Sequence, residues 1–438
     1  MSDPTQKGRF IALLPIFVFL ALFLGMGIVT GDFYKTPAIV AFLIALLVAF
    51  LQNRRLSFAD KFKIITKGVG EENIITMCLI FLCAGAFSGA VTASGGVEST
   101  VNLGLSVLPP QFAIPGLFVI GCFISLSMGT SVGTIAALAP IAVEISHKTG
   151  FAMPLCIGSV VCGAMFGDNL SMISDTTIAA VKTQGCQMKD KFRMNFFIVL
   201  PAAVITLLIF YFLGKNGGFE ISGSLNYSLW QVFPYLLVLV CALIGLNVFI
   251  VLIGGTVFSL AVGVTTGALP LADVFVAIGG GKIADMEIGG IMGMYDITVI
   301  SIVVACIVSL VKEYGGIRFI LNIIRHGIAG RRGAELGIAG LALVVDACTA
   351  NNTVAIVIAG PIAKEISDEY NVDPRRSASL LDIFSSVGQG LIPYGAQLLT
   401  AASIAAISPF EIIPYMYYPI LMTVSSLLFI MFRRNVKA

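Results

Sequence analysis

The chain alternates long apolar stretches with short polar islands. Residues 10–29, 38–51, 74–91, 196–213 and 412–432 are almost wholly apolar, and each approaches or exceeds the ~20 residues that cross a hydrocarbon core ~30 Å thick. The pattern predicts an all-α polytopic membrane protein with an uncleaved first helix. Four islands interrupt it: SMGTSVGT at 127–134, FGDNLSMISDTT at 166–177, CTANNT at 348–353 and SSVGQGLIPYGAQ at 385–397. All are rich in Gly, Ser, Thr, Asn or Pro. Irregular backbone at bilayer depth is tolerated only where it is buried in protein or lines a wet cavity, so the islands predict broken helices and re-entrant hairpin tips that meet near the midplane.

The islands are spaced by an internal repeat. PIAVEIS starts at Pro140 and PIAKEIS at Pro361, 221 residues apart, and at the same offset Gly167 and Leu170 meet Gly388 and Leu391. Such self-similarity divides the chain into two halves, 1–215 and 225–438, around the glycine-rich GKNGGFEISGS at 214–224.

Composition sharpens the class. Of 438 residues, 58% are hydrophobic and 11% charged, against ~45–50% and ~25% in soluble domains. A net charge of +2, scattered along the chain, gives no footprint for nucleic acid. The positions of the charges say more than their sum, because short cytoplasmic loops are enriched in Lys and Arg. Arg54, Arg55, Lys61, Lys63 and Lys67 lie in 52–70, whereas the related 266–287 has only Lys282; 95–112 has no basic residue, whereas 312–335 has Lys312, Arg318, Arg325, Arg331 and Arg332. Lys189, Lys191 and Arg193 follow the second island while 404–414 has none, and Arg433, Arg434 and Lys437 close the chain. Every decidable pair has opposite sidedness, as inverted-topology repeats require, with both termini cytoplasmic in a cell membrane of the bacterial inner-membrane type. Nine cysteines without CxxC spacing read as packing residues, and His147 and His326, the only histidines, sit beside basic residues at membrane edges. No cofactor is implied.

Two aspartates within eight residues of apolar text need a reason, since one at the bilayer centre costs ~2.5–3.5 kcal/mol on insertion scales. In an unbroken helix Asp168, Ser171 and Asp175 would share one face. A buried carboxylate can hold a proton or a metal ion, and competition for it couples the two. The candidate ion site is therefore Asp168, Asn169, Ser171, Ser174, Asp175, Thr176 and Thr177. Asp168 and Asp175 correspond to Gln389 and Ala396 in the second half, whose own acid is Asp346, opposite Ser125. Thr130, Ser131, Thr134, Asp346, Asn351, Asn352, Thr353, Gln389, Tyr394 and Gln397 are the candidates for substrate contacts, suited equally to a second ion shell or to the polar end of an organic molecule. Asp296 and Asp382 are further intramembrane acids. Glu144 and Glu365, paired by the repeat, read as helix ends at the interface.

At this point the sequence resembles the NhaC-type sodium/proton antiporter family. The resemblance rests on GDNLSMISDTT with GTSVGT before it; the family pattern is close to G-D-x-x-S-P-x-S-D-T-T, met by Gly167, Asp168, Ser171, Ser174, Asp175, Thr176 and Thr177. Met172 stands where the family usually has proline. The likeness implies an elevator-type transporter in which one bundle slides against a scaffold. Relatives of that group include cation/proton exchangers and carriers of amino or organic acids.

The sequence thus predicts a secondary active transporter, cation-coupled through Na⁺ and/or H⁺, most simply a Na⁺/H⁺ antiporter. The alternative is Na⁺- or H⁺-coupled movement of an amino acid or small organic acid. A homodimer is left open. An intramembrane aspartyl protease fits poorly, because Met165 takes the first glycine position of its G-x-G-D motif, and no serine-histidine pair lies in the membrane.

Overall fold

The computed structural model describes residues 8–432 except 31–37, 108, 173, 217–224, 245, 284–285, 327 and 329. The glycine-rich divide at 217–224 and the basic Arg433, Arg434 and Lys437 lie outside the described residues. The chain is mostly helical. Five helices are long and apolar enough to cross a membrane: Ile74–Ala93, Met153–Gln184, Met188–Lys215, Val248–Thr265 and Met292–Glu313, the second running through an island; two bent pairs raise the number to seven among the described residues. Large apolar side chains face outward along several helices, among them Leu43, Leu47 and Leu51, Ile205, Leu208 and Phe212, and Ile250, Ile253 and Val257. Apolar faces this extensive require lipid rather than water against them. The molecule is a multi-pass membrane protein.

Two details depart from the sequence reading. The apolar run 412–432 is not one helix: Pro409–Ile412 and a 3-10 turn, Ile413–Tyr415, precede the helix Tyr417–Phe432, because Pro414 has no N–H to carry a helix through. A two-stranded antiparallel hairpin, Gly281–Ile283 with Met286–Ile288, adds a little β-structure, Lys282 standing opposite Glu287.

Around the four islands, local structure recurs at the 221-residue spacing. Ala113–Met128 and Gly330–Thr349 each stop at a left-handed residue, Gly129 (φ 69°) and Ala350 (φ 51°). The next residues, Thr130 and Asn351, cap the following helices Ser131–Thr149 and Asn352–Glu369 by accepting from the amides of Gly133 and Val354, as short polar side chains do at helix starts. Met153–Leu170 and Pro374–Leu391 come next, each ending in an extended residue, Ser171 and Ile392; after a short break the helices Asp175–Gln184 and Ala396–Ala405 follow. Packing crosses between the halves. Asp175–Gln184 lies on Asn352–Glu369, and Ala396–Ala405 lies on Ser131–Thr149.

Two glycines at the repeat spacing allow close approach in this core. Gly388 sits over Asp346, where an added Cβ would fall 2.3 Å from the Oδ2 atom; Gly167, 221 residues earlier, sits over Ser125 and the Cys122 carbonyl, 2.3 Å from where its own Cβ would be.

Candidate functional site

The helix is broken at Ser171–Ser174 although residue 172 is Met and not Pro. Ser171 is extended (φ −68°, ψ 133°) and its amide turns back to the carbonyl of Asp168. Asp168 and Asp175 are therefore not one turn-spaced face of a single helix, as an unbroken reading had them. Asp168 closes one helix and Asp175 opens the next. The positions carry opposite helix-dipole signs: a carboxylate is favoured at the N-terminal end and disfavoured at the C-terminal end, by ~0.3–1 kcal/mol each.

Asp168 is 7% exposed and held by hydroxyls on both oxygens: Ser131 Oγ donates to Oδ2 at 2.9 Å and Ser174 Oγ to Oδ1 at 2.6 Å. Ser174 is the N-cap residue of Asp175–Gln184 but makes no side-chain cap bond. Its hydroxyl is committed to Asp168, and its oxygen lies 2.9 Å from Thr176 Oγ1. Gln397 Nε2 donates to Ser131 Oγ at 3.1 Å, which carries the network into the second half.

These residues border a cavity that joins all four islands. Asp168, Ser174, Asp175 and Thr176 line it from the second island, Thr130 and Ser131 from the first, Asn351, Asn352 and Thr353 from the third, and Gln389 and Gln397 from the fourth. Its interior offers ≈ 90 Å³ to the centres of waters, several times the ~10–15 Å³ that one water needs on that measure. Two carboxylates face it, and no basic side chain does among the described residues. Four helices, Ser131–Thr149, Asp175–Gln184, Asn352–Glu369 and Ala396–Ala405, begin at its wall.

The other expected residues lie behind this wall. Asn169 donates to Tyr418 Oη at 3.0 Å, Thr134 to the Thr130 carbonyl at 2.8 Å and Tyr394 to the Ala347 carbonyl at 2.8 Å. Ser171 is buried at the helix end. Asp346 is fully buried, its Oδ1 accepting from Gln389 Nε2 at 2.9 Å, so it meets the cavity only through Gln389. Thr177 accepts from Lys191 Nζ at 2.6 Å.

That lysine corrects the loop reading. Lys191 is not a surface charge of a cytoplasmic segment: it is 1% exposed, pairs with Asp382 at 2.7 Å, and also donates to the Asn169 carbonyl at 3.1 Å. Asn195 supports the same spot, donating to Asp382 Oδ2 at 2.8 Å and to the Asn169 carbonyl at 2.9 Å, while Ser379 Oγ donates to its Oδ1. Sequence reasoning also missed Thr76, Met77 and Ile80, which close the cavity from the helix Glu72–Ala93. Nothing in an apolar helix marks which face borders a cavity.

Comparison with known proteins follows the same lines. The sequence profile described as the Na+/H+ antiporter family matches residues 8–215 and 222–433. The chain is 24% identical over 441 residues to the malate-2H(+)/Na(+)-lactate antiporter of Bacillus subtilis (strain 168), covering 95% of this chain and 93% of that protein. It is 24% identical to the Na(+)/H(+) antiporter NhaC of the same organism, covering 85% and 87%, and 25% identical to the arginine/ornithine antiporter ArcD of Halobacterium salinarum, covering 82% and 77%. These relatives are transporters rather than enzymes. The chain belongs to the Na+/H+ antiporter family, and it is a cation-coupled secondary transporter.

Proposed function

We propose that the cavity between the four islands binds Na⁺ and H⁺ in competition and that the protein exchanges them across the membrane. One observation carries this reading: Asp168, buried and held by two hydroxyls at the negative end of a helix, faces a cavity shared with Asp175 and with no basic lining residue among those described. A carboxylate so placed is completed by a cation, either a metal ion ligated with the hydroxyl oxygens of Ser174, Ser131 and Thr176 or a proton. Binding of one excludes the other, so their gradients are linked. Thermal unfolding in detergent tests it: NaCl should raise the melting temperature above an equal concentration of choline chloride, and Asp168→Asn should erase the difference. Equal response of the variant would remove Asp168 from the site.

A second reading has its own observation. Helix N-termini carry a partial positive charge and favour anions, and four of them begin at the cavity wall beside Asn351, Asn352 and Gln397. This arrangement suits the carboxylate of an organic acid or amino acid moved with the cation, the kind of cargo in the names of the malate/lactate and arginine/ornithine relatives.

The architecture we propose is two inverted repeats, 1–215 and 225–438, working as an elevator with both termini cytoplasmic in a bacterial inner membrane. Supporting it are the opposite sidedness of the loop charges other than Lys191, the recurrence of breaks and caps at 221 residues, the crossed packing of the halves, and the meeting of the family profile with the chain in two stretches.

A further inference from the structure

A second cavity shares three helices with the first. Helix Glu72–Ala93 places Thr76, Met77 and Ile80 in the ion cavity and Ser88 and Thr92 in the second; Ser131–Thr149 places Ser131 and Val132 in the first and Glu144 and His147 in the second; Ala396–Ala405 places Gln397 in the first and Ser403 in the second. On every one of them the ion cavity lies at the N-terminal end and the second cavity toward the C-terminal end. The two cavities therefore lie along one seam, in sequence. Thr76 and Ser88 are twelve residues apart, about 18 Å along a helix. The second cavity is the larger, with ≈ 610 Å³ open to water centres.

Between them lies apolar packing. Phe81, Met294, Ile297 and Ala396 form a buried cluster with Val132 and Leu399 against it, and Phe81 is fully buried. The face of Glu72–Ala93 along the seam thus reads polar at Thr76, apolar at Ile80, Phe81 and Ala84, and polar again at Ser88 and Thr92. An ion cannot cross such packing without leaving its polar partners.

We infer that the second cavity is the other end of the transport path, and that the Phe81–Met294 cluster is the barrier that keeps the ion site from both ends at once. This inference rests on the reading of the Asp168 cavity as the ion site. In an elevator, the helices Ser131–Thr149 and Ala396–Ala405 carry the site past Phe81 toward Ser88 and Thr92 while Glu72–Ala93 stays. Close anchoring of that helix supports its stationary role: a Cβ on Gly85 would meet the Gly290 carbonyl at 2.5 Å and one on Gly89 the Ala277 carbonyl at 2.1 Å, so the helix is pressed against the segment bearing the β-hairpin, which together with Gly89 borders the second cavity.

Filling the cavity and thinning the barrier test this separately. Ser88→Trp places bulk in the second cavity, away from the ion site. It should keep the Na⁺-induced rise in melting temperature and lose most of its exchange rate in proteoliposomes. Full exchange by this variant overturns the inference, and so does a folded variant that no longer responds to Na⁺, since the two cavities would then not be separate. Phe81→Ala, which decides the matter if Ser88→Trp does not fold, should pass Na⁺ several-fold faster than wild type without proton counterflow; an unchanged leak overturns it. A wild-type protein with neither Na⁺ stabilisation nor exchange removes the ion-site reading and the pathway with it, whereas a competent wild type with variants that behave like it removes the pathway alone.

Discussion

Lys191 Nζ lies 2.7 Å from Asp382 Oδ2, and both side chains are 1% exposed. The pair joins a helix of the first half to one of the second, and the ammonium also binds both sides of the Asp168–Asp175 break through the Asn169 carbonyl and Thr177 Oγ1. Removing one partner leaves a buried charge alone, which costs about 3–5 kcal/mol. Asp382→Asn and Lys191→Met should each lower the unfolding temperature by many degrees, and the double change Lys191→Met with Asp382→Leu should recover part of the loss. Additive losses in the double variant would mean the two side chains do not act as a pair.

Asp168 and Asp175 should not be equivalent. Asp168 is buried between two serine hydroxyls, whereas Asp175 is exposed at the first turn of its helix. Asp168→Asn should abolish Na⁺ binding outright. Asp175→Asn should leave the protein folded and inserted but uncouple Na⁺ from H⁺ movement. Retained, pH-dependent coupling in the Asp175 variant would take that residue out of the site.

Competition for one carboxylate fixes a pH dependence. On the proposed competition the bound proton excludes Na⁺, so affinity should be highest where the carboxyl is ionised and fall as pH drops through its titration, approaching roughly tenfold per pH unit on the acid side. The half-saturating Na⁺ concentration, measured from pH 9 to pH 5.5, should rise monotonically. A flat profile would assign the two ions to separate groups.

Gln389 links the cavity to the second acid. Its Nε2 donates to Asp346 Oδ1 at 2.9 Å and its Oε1 accepts from the Ala396 amide at 3.1 Å. Gln389→Ala should weaken affinity more than turnover. Gly388→Ala, which pushes a methyl onto Asp346, should destabilise by about 1–3 kcal/mol through overpacking, readable in denaturant unfolding.

Much of this site was legible because polar residues in apolar text are costly and therefore placed. The four islands are where the helices break, and eleven of the sixteen residues singled out from them line one cavity. Helical spacing misled within an island: Asp168, Ser171 and Asp175 share a face only if the helix continues, and the backbone at Ser171 does not. Loop charge misled for Lys191, since a lysine near a membrane edge reads as solvated whether it points to water or to a buried aspartate. The turn at Pro414 was hidden by the apolar run around it. Which face of Glu72–Ala93 borders the cavity follows from tertiary packing, and its sequence carries no separate mark.

Na⁺-driven proton movement in proteoliposomes tests the central claim most directly. With purified protein, a pH-sensitive dye trapped inside and no organic solute present, adding NaCl outside should drive protons out of the vesicles, and Asp168→Asn should abolish the signal. An active preparation that moves protons only after an amino acid or organic acid is added would contradict plain exchange and leave the cation coupled to organic cargo.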